Sequence, residues 1–384
     1  MAGTPVTDWV VDPAINADSG VGTLGDPFGD LQYALDQVGT SPGRAANGGD
    51  AFHVKSGTAE VMNAKLSIAT YGTPALAGPL IIRGFTTSLY DGGVGQISGN
   101  SGTYPIFEEA TAPAVHFQDL ELYDCGSGAF VVRTGQNSSV INCEVHGCDG
   151  TGVSVGQHSV VANCHTYDLG IGSASDRAIM AGNNSEIVMC YYETAGTRRI
   201  GSFAIEANSN SMVEGCFVVL RHVSEGGILF AAQSVRAMHN LVLNIVNGTA
   251  IGMQYGISGN AVVGNILAGF AGTGGLGIQN QNPGLIALFR GNAFYNSAQD
   301  VKSTMESIHT ERDAVVSSNP WARDGSLTFA NRHTYFRLAD IWPQPEDWQS
   351  LGVGYDQRDS GPVVGATVTS GDSIPRNHSP LLRM

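Results

Sequence analysis

The chain has 384 residues, of which only 14% are charged, and a net charge of −15. That balance repels phosphate backbones and no basic stripe offsets it, so nucleic acid is not an expected partner; no run approaches the ~18 apolar residues of a membrane span. With 42% hydrophobic residues alternating with polar ones, and 51 glycines, the pattern is that of turn-rich β structure and not of a disordered linker.

Trp9-Val10-Val11-Asp12-Pro13 reads as a strand stopped by proline, followed by a loop holding Asn16, Asp18, Gly20 and Gly22. Asp26-Pro27 is the expected N-cap and first helical residue, because Asp accepts from free backbone N–H groups and Pro has none to satisfy. Phe28, Leu31, Leu35 and Val38 then mark an amphipathic helix ending before Gly39. Strands are expected at Ala51–Lys55, Leu66–Ile68 and Leu80–Arg83, and 86–113 reads as an irregular protrusion.

From about 114 to 296 the chain repeats. Asp119-Leu-Glu-Leu-Tyr aligns with segments starting at Asn142, Asn163, Met189, Gly215, Asn240 and Gly264, spaced by 23, 21, 26, 26, 25 and 24 residues. Each block holds two further short apolar segments, such as Val153-Ser-Val155 and Val160-Val-Ala162, with Asn and Gly at the bends, where left-handed backbone is needed. Three strands per 21–26 residues point to an all-β fold, a right-handed parallel β-helix of three-strand rungs; the alternative is an antiparallel sandwich, which would not recur at one register over seven blocks. A solenoid exposes its core at each end, so the helix is placed as an N-terminal cap. The expected organisation is 1–50 for the entry strand and capping helix, 51–296 for the β-helix, and 297–384 for a distinct Pro- and Trp-rich C-terminal section that covers the last rung or contacts a partner.

Cys143, Cys164, Cys190 and Cys216 fall at one position of this repeat, and Cys125 and Cys148 are 23 apart. Rungs ~4.8 Å apart leave a disulfide sterically open, but small buried residues stacked one per rung make a reduced interior ladder the expectation. No Cys-x₂-Cys pair or Cys/His cluster marks a metal site.

If the cysteine position points inward, the residue after it points outward, and so does the one two further on. Two exterior ladders follow: Glu121, Glu144, His165, Tyr191, Phe217, and Tyr123, His146, Tyr167, Glu193, Val219. Glu121, Glu144 and His165 are the candidate acid–base residues, and Tyr123, His146, Tyr167, Tyr191 and Glu193 the candidate ligand-binding set, since rings stack on sugars and paired carboxylates cleave them. The plain alternative is a solvated face. Asp176-Arg177 and Arg198-Arg199 are either binding groups for acidic sugars or local ion pairs. Phe217-Val-Val-Leu220 is apolar throughout, so its outward pair Phe217 and Val219 is expected to be covered, either by a neighbouring chain or by the C-terminal section; with Trp342, Trp348, Leu381 and Leu382 they are the candidate interface residues.

The opening Val10-Val-Asp-Pro … Asp18-Ser-Gly-Val-Gly-Thr-Leu-Gly-Asp-Pro-Phe-Gly-Asp-Leu-Gln-Tyr-Ala-Leu35 resembles the entry segment of the pectate-lyase-like β-helix superfamily. The resemblance implies the fold over the opening and the rungs, and admits polysaccharide lyases, hydrolases, epimerases and phage virion proteins. The Arg-x-Pro-x-x-Arg and Asp cluster of pectate lyases, and the Asn-Thr-Asp, Asp-Asp and Gly-His-Gly of polygalacturonases, do not occur, and no lysine lies between 66 and 301. The expected function is therefore a structural surface protein of a phage-like virion, a capsid decoration (cement) protein or small tail spike with room for glycan binding, rather than an enzyme. The alternative is an extracellular polysaccharide lyase or hydrolase acting on an acidic glycan. Homo-oligomers, trimers above all, and other virion proteins are the partners the resemblance implies. No cofactor is expected, with Ca²⁺ the one ion that the acidic surface would attract.

Overall fold

The computed structural model describes residues 8–315 apart from several turns and loops, the longest of them 41–49, 69–78 and 281–287, and beyond 315 only the strands Val353–Asp356 and Gly361–Val364. The chain divides into two compact units, Met1–Ser211 and Met212–Met384.

In the first unit, Asp8–Val11, Ala51–Lys55, Leu80–Phe85, Val115–Gln118, Ser139–Ile141, Val160–Ala162 and Glu186–Val188 pair in parallel as a first sheet. Glu60–Val61, Gly95–Gly102, Leu120–Cys125, Glu144–Cys148, His165–Leu169 and Tyr191–Glu193 form the second sheet. The third is Phe107–Glu109, Phe130–Thr134, Thr151–Val155, Ile179–Ala181 and Phe203–Ala207. The chain is a parallel β-helix. The second unit repeats the scheme, with Phe217–Leu220, Leu241–Asn244, Ile266–Ala268, Ala293–Tyr295 and Ala314–Val315 as its second sheet. Its rungs run on past residue 296, since Gln299–Lys302 and His309–Glu311 continue the other two sheets in parallel. Val353–Asp356 and Gly361–Val364 pair antiparallel, unlike any rung.

Three expectations need correction. The region 86–113 is not a protrusion: it supplies Gly95–Gly102 and Phe107–Glu109, whose glycines and polar residues hid two strands of the second and third sheets. The helix is Leu31–Thr40 and its N-cap is Asp30, whose carboxylate accepts from the Tyr33 N–H at 2.6 Å. Asp26-Pro27 lies instead in a turn, because Phe28 is held extended against the entry strand: its N–H donates to Val10 O and its carbonyl accepts from Asp12 N–H. The close approach here requires Gly20, where a Cβ would lie 2.0 Å from Pro27 O. Phe28 is still fully buried, as are Leu31, Leu35 and Val38 on the helix, so the apolar stripe does cover core.

The third correction concerns register. Leu241 pairs with Phe217, so His239, not Asn240, is the counterpart of Gly215, and Asn240 points inward as Cys216 does. The bend residue shows the rule plainly. Asp119, Asn142, Asn163 and Met189 have φ between 51° and 55°, and Gly215, His239 and Gly264 repeat it. Asx side chains tolerate that left-handed geometry, and it turns the next side chain into the core.

What stacks inside therefore changes along the chain. In the first unit Cys143, Cys164 and Cys190 are buried at one position of successive rungs, the Cys164 thiol reaching the Val140 carbonyl at 3.3 Å, and the Cys148 sulfur accepts from the Cys125 N–H at 3.2 Å. All six cysteines are free and buried, and burial pushes the Cys143 thiol up, out of reach of nucleophilic chemistry. An aromatic disulfide reagent is expected to find none of the six thiols in the native chain and all six in denaturant; rapid native reaction would contradict this packing. At another corner Ser138, Ser159, Ser185 and Ser211 form a buried column in which each hydroxyl oxygen accepts from a backbone N–H of the preceding rung, at 3.1–3.2 Å. In the second unit Asn240, Asn265 and Asn292 stack with side-chain amides joined at 2.9 and 3.0 Å.

Candidate functional site

The first unit's second sheet carries the two exterior ladders. Register places Glu121, Glu144, His165 and Tyr191 in one line and Tyr123, His146, Tyr167 and Glu193 in the next. Alternation puts these side chains outside because Leu122, Val145 and Thr166 between them are fully buried. A left-handed residue closes each outward pair, namely Asp124, Gly147 and Asp168, with φ of 62°, 65° and 49°. Gln96 and Ser98 extend both ladders by one rung. They lie in the segment read as irregular, although Gln96-Ile97-Ser98 shows the same alternation.

The rings stack on one another. His146 lies between Tyr123 and Tyr167 at 5.3 and 4.6 Å, with interplanar angles of 5° and 7°. His165 leans against Tyr167 at 4.4 Å and Tyr191 at 5.1 Å. Ring faces point along the ladder and only edges point outward, so His146 has no open face for a sugar. The carboxylates are engaged as well. Glu121 accepts from Gln96 at 2.6 Å and meets His146 Nε2 at 3.0 Å. Glu144 accepts from the Tyr167 hydroxyl at 2.7 Å, and Glu193 from the Tyr191 hydroxyl at 3.3 Å. His165 stands between carboxylates, with Nδ1 4.0 Å from Glu144 and Nε2 3.6 Å from Glu193.

Exposure separates the candidates. Tyr191 is fully buried and the His165 side chain is 5% exposed, whereas Glu144, at 35%, is the most open of the three carboxylates. Burial and the Glu144 carboxylate raise the Tyr167 phenol well above its usual range; burial, then Glu121 and Asp124, raise that of Tyr123. Both phenols therefore stay protonated at neutral pH and serve as donors, not as bases.

Beside the ladders, Asp124 accepts from Ser101 at 2.7 Å. Arg198 reaches Asp149 at 2.7 Å and Asp168 at 3.2 Å, a clasp across rungs that sequence spacing alone did not disclose. These carboxylates raise the guanidinium's pKa further. Arg177 is held by Glu206 at 2.8 Å and by the Asp176 carbonyl, so both described arginines are in ion pairs, with carboxylates of other rungs and not with sequence neighbours; Arg199 lies outside the described residues. Among the described residues no group of three or more His, Cys, Asp and Glu side chains is arranged to hold a metal ion.

The expected interface residues are placed differently. Phe217 and Val219 are 0% and 2% exposed in a single chain, because the chain itself closes over Phe217–Leu220; no apolar surface is left there for a partner. Trp342, Trp348, Leu381 and Leu382 lie outside the described residues.

No family model matches the chain, and no curated protein matches it. Among solved structures it is similar to pectate lyase Pel9A, with a TM-score of 0.49 and 13% identity over 86% of this chain and 83% of that one. It is similar also to ORF18 of Geobacillus virus E2, with a TM-score of 0.40 and 12% identity over 81% of this chain and 62% of that one. The A-module of the Azotobacter vinelandii mannuronan C-5 epimerase AlgE4 gives 0.37 and 11%, over 80% of this chain and all of that one. The fold assignment rests on the chain's own strand registers. Among the described residues no helix is long and apolar enough to cross a membrane.

Proposed function

We propose that this chain is a structural surface protein of a phage-like virion, a capsid decoration protein or a small tail spike, located on the particle or outside the cell. One observation carries the reading: on the face best furnished for chemistry, the side chains are committed to each other. Glu121, Glu144 and Glu193 each accept a hydrogen bond from a neighbouring side chain, and the rings of Tyr123, His146 and Tyr167 face one another. Acid–base cleavage needs a carboxyl group within ~2.6–3.2 Å of the substrate proton, and sugar stacking needs an open ring face. A ladder satisfied along its own length provides rung-to-rung cohesion instead. Its outward edge, where Glu144 is the most open carboxylate, is the place at which a glycan hydroxyl would hydrogen-bond.

The test has two arms. The full chain, incubated with a panel of acidic polysaccharides, is expected to release neither unsaturated nor reducing ends. Antibodies against it are expected to label the surface of phage-like particles from the source culture. Turnover that disappears in both Glu144→Ala and His165→Ala would overturn the reading in favour of a polysaccharide lyase or hydrolase. Particles left unlabelled would remove the virion assignment.

A further inference from the structure

We infer that Tyr90 is the platform of a glycan-binding site, taking the apolar ring face of an uncharged hexopyranose, with Asp8 beside it as the acceptor for a sugar hydroxyl. Among the described residues Tyr90 is the one Phe, Tyr or Trp that is exposed, at 54%. It sits on the loop 86–94, between the first-sheet strand Leu80–Phe85 and the second-sheet strand Gly95–Gly102, with φ of 68°. That left-handed backbone is uncommon for a bulky aromatic residue, and conformations of this kind gather at binding sites where the surroundings enforce them. Here they are enforced twice. The Asp91 carboxylate closes the loop by accepting from the backbone N–H groups of Thr86, Thr87, Ser88 and Gly93 at 2.7–3.1 Å. The Tyr90 hydroxyl donates to Asp8 Oδ1 at 2.5 Å, and His53 Nε2 lies 2.8 Å from the same oxygen.

The ring is laid over the first sheet with one side covered. The Arg83 guanidinium is 4.5 Å from its centroid, and the His53 ring meets it edge-on at 4.9 Å. His53 and Arg83 are register neighbours whose side chains are 0% and 14% exposed, so they lie beneath Tyr90, and the solvent-facing area of the phenol is its other side. Tyr123, His146 and Tyr167 lack such a side, being stacked on one another. A sugar ring combines an apolar C–H face with a rim of hydroxyls, so it fits an open aromatic face with an acceptor at its edge. Asp8 is that acceptor: its side chain is 32% exposed, and Oδ2 takes no hydrogen bond from any described residue. A protein partner would call for contiguous apolar surface, whereas Thr86, Thr87, Ser88 and Asp91 on the same loop are polar and exposed. The class of sugar follows from charge. With Asp8 at the rim and −15 on the chain a uronate is repelled, and Arg83, covered by the ring and 3.4 Å from Asp119, is not open to its carboxylate. Because the loop is already fixed, binding costs little ordering. The inference is independent of the virion reading and lies on a different sheet from Glu144.

Calorimetric titration of the full chain with cello-, malto- and manno-oligosaccharides, and with oligogalacturonate as their acidic counterpart, tests it. At least one uncharged series is expected to bind in the micromolar to millimolar range, and oligogalacturonate more weakly. Tyr90→Ala should weaken that binding about tenfold or more, and Tyr90→Phe, which keeps the ring, by no more than about threefold. Arg133→Ala on the third sheet should leave it unchanged. Failure of every uncharged series to bind, which would leave the ring to a protein partner, overturns the inference, as does tightest binding by oligogalacturonate or full affinity in Tyr90→Ala. Affinity lost in Glu144→Ala but kept in Tyr90→Ala would assign the glycan to the second sheet instead. Should Tyr90→Ala not fold, iodination of the wild type decides the matter: bound oligosaccharide must slow modification of Tyr90, and an unchanged rate sinks the proposal. Sugar binding is read on the isolated chain and labelling on particles, so the two proposals fail separately.

Discussion

Asn265→Ala should destabilise the chain by about 3–6 kcal/mol, more than any single cysteine replacement in the equivalent ladder. The Asn265 side chain is fully buried and its oxygen accepts from both the backbone N–H and the side-chain amide of Asn240, each at 2.9 Å. Its amide donates to the Ala237 carbonyl at 3.0 Å and onward to Asn292. Alanine leaves two buried donors of Asn240 and one carbonyl without partners, at ~1–3 kcal/mol each. Cys164→Ala removes only a small apolar volume and a weak donor, and should cost about 1–2 kcal/mol. Serine at 265 should recover part of the loss, since the serine column shows a hydroxyl accepting from the same kind of backbone donor. Denaturant midpoints of the full-length variants give the comparison. If Asn265→Ala lies within about 1 kcal/mol of wild type, the amide column is not what holds these rungs together.

The second large effect is one of pH. Glu60, on the short second-sheet strand Glu60–Val61, is 4% exposed, and burial followed by the neighbouring Asp30 carboxylate raises its pKa to about 8. It accepts from the Leu31 N–H and hydrogen-bonds to Asp30, the residue that caps the helix. In the unfolded chain the same carboxyl titrates near its ordinary value of 4.5. Between these two values the native state binds the extra proton, so the contribution of Glu60 to stability is fully present below pH ~4.5 and is lost as pH rises towards 8. At ~1.4 kcal/mol per unit the swing is on the order of 3–5 kcal/mol, reached near pH 8. Glu60→Gln keeps the shape and a donor towards Asp30 while discarding the titration. It should flatten the slope and make the variant the more stable protein at pH 8. Equal slopes for the two proteins between pH 5 and 8 would show that Glu60 gives up its proton in the fold as readily as outside it.

The rungs were legible because a repeat of 21–26 residues is a property of spacing, and spacing survives any exchange of one apolar residue for another. Even the outward columns from Glu121 to Glu193 could be read, since period-2 alternation fixes which side each residue faces. What failed were decisions that depend on a single residue. His239 in a left-handed bend is less familiar than Gly or Asn, so residue type alone starts this rung at Asn240, one residue out of step, and hides the amide column. Asp26-Pro27 has the local grammar of a helix start, but the bridge from Phe28 to the entry strand overrides it. Phe217 and Val219 show the same limit at the site: four consecutive apolar residues tell that both sides of a strand are covered, and say nothing of whether the cover is foreign or the chain's own. Ring orientation was beyond reach altogether, because the order of Tyr123, His146 and Tyr167 along a column does not say whether they present faces or edges.

The serine column has a further consequence for how such a chain must begin and stop. Ser138 shields Val115, Ser159 shields Ser138, and so on to Ser211, each hydroxyl answering a donor in the layer before it. A layer within the column is therefore completed by the one that follows it, whereas Ser211, the last, turns its own N–H back onto the Asn208 carbonyl at 3.2 Å. A tight turn that answers its own donor is thus enough to end such a column.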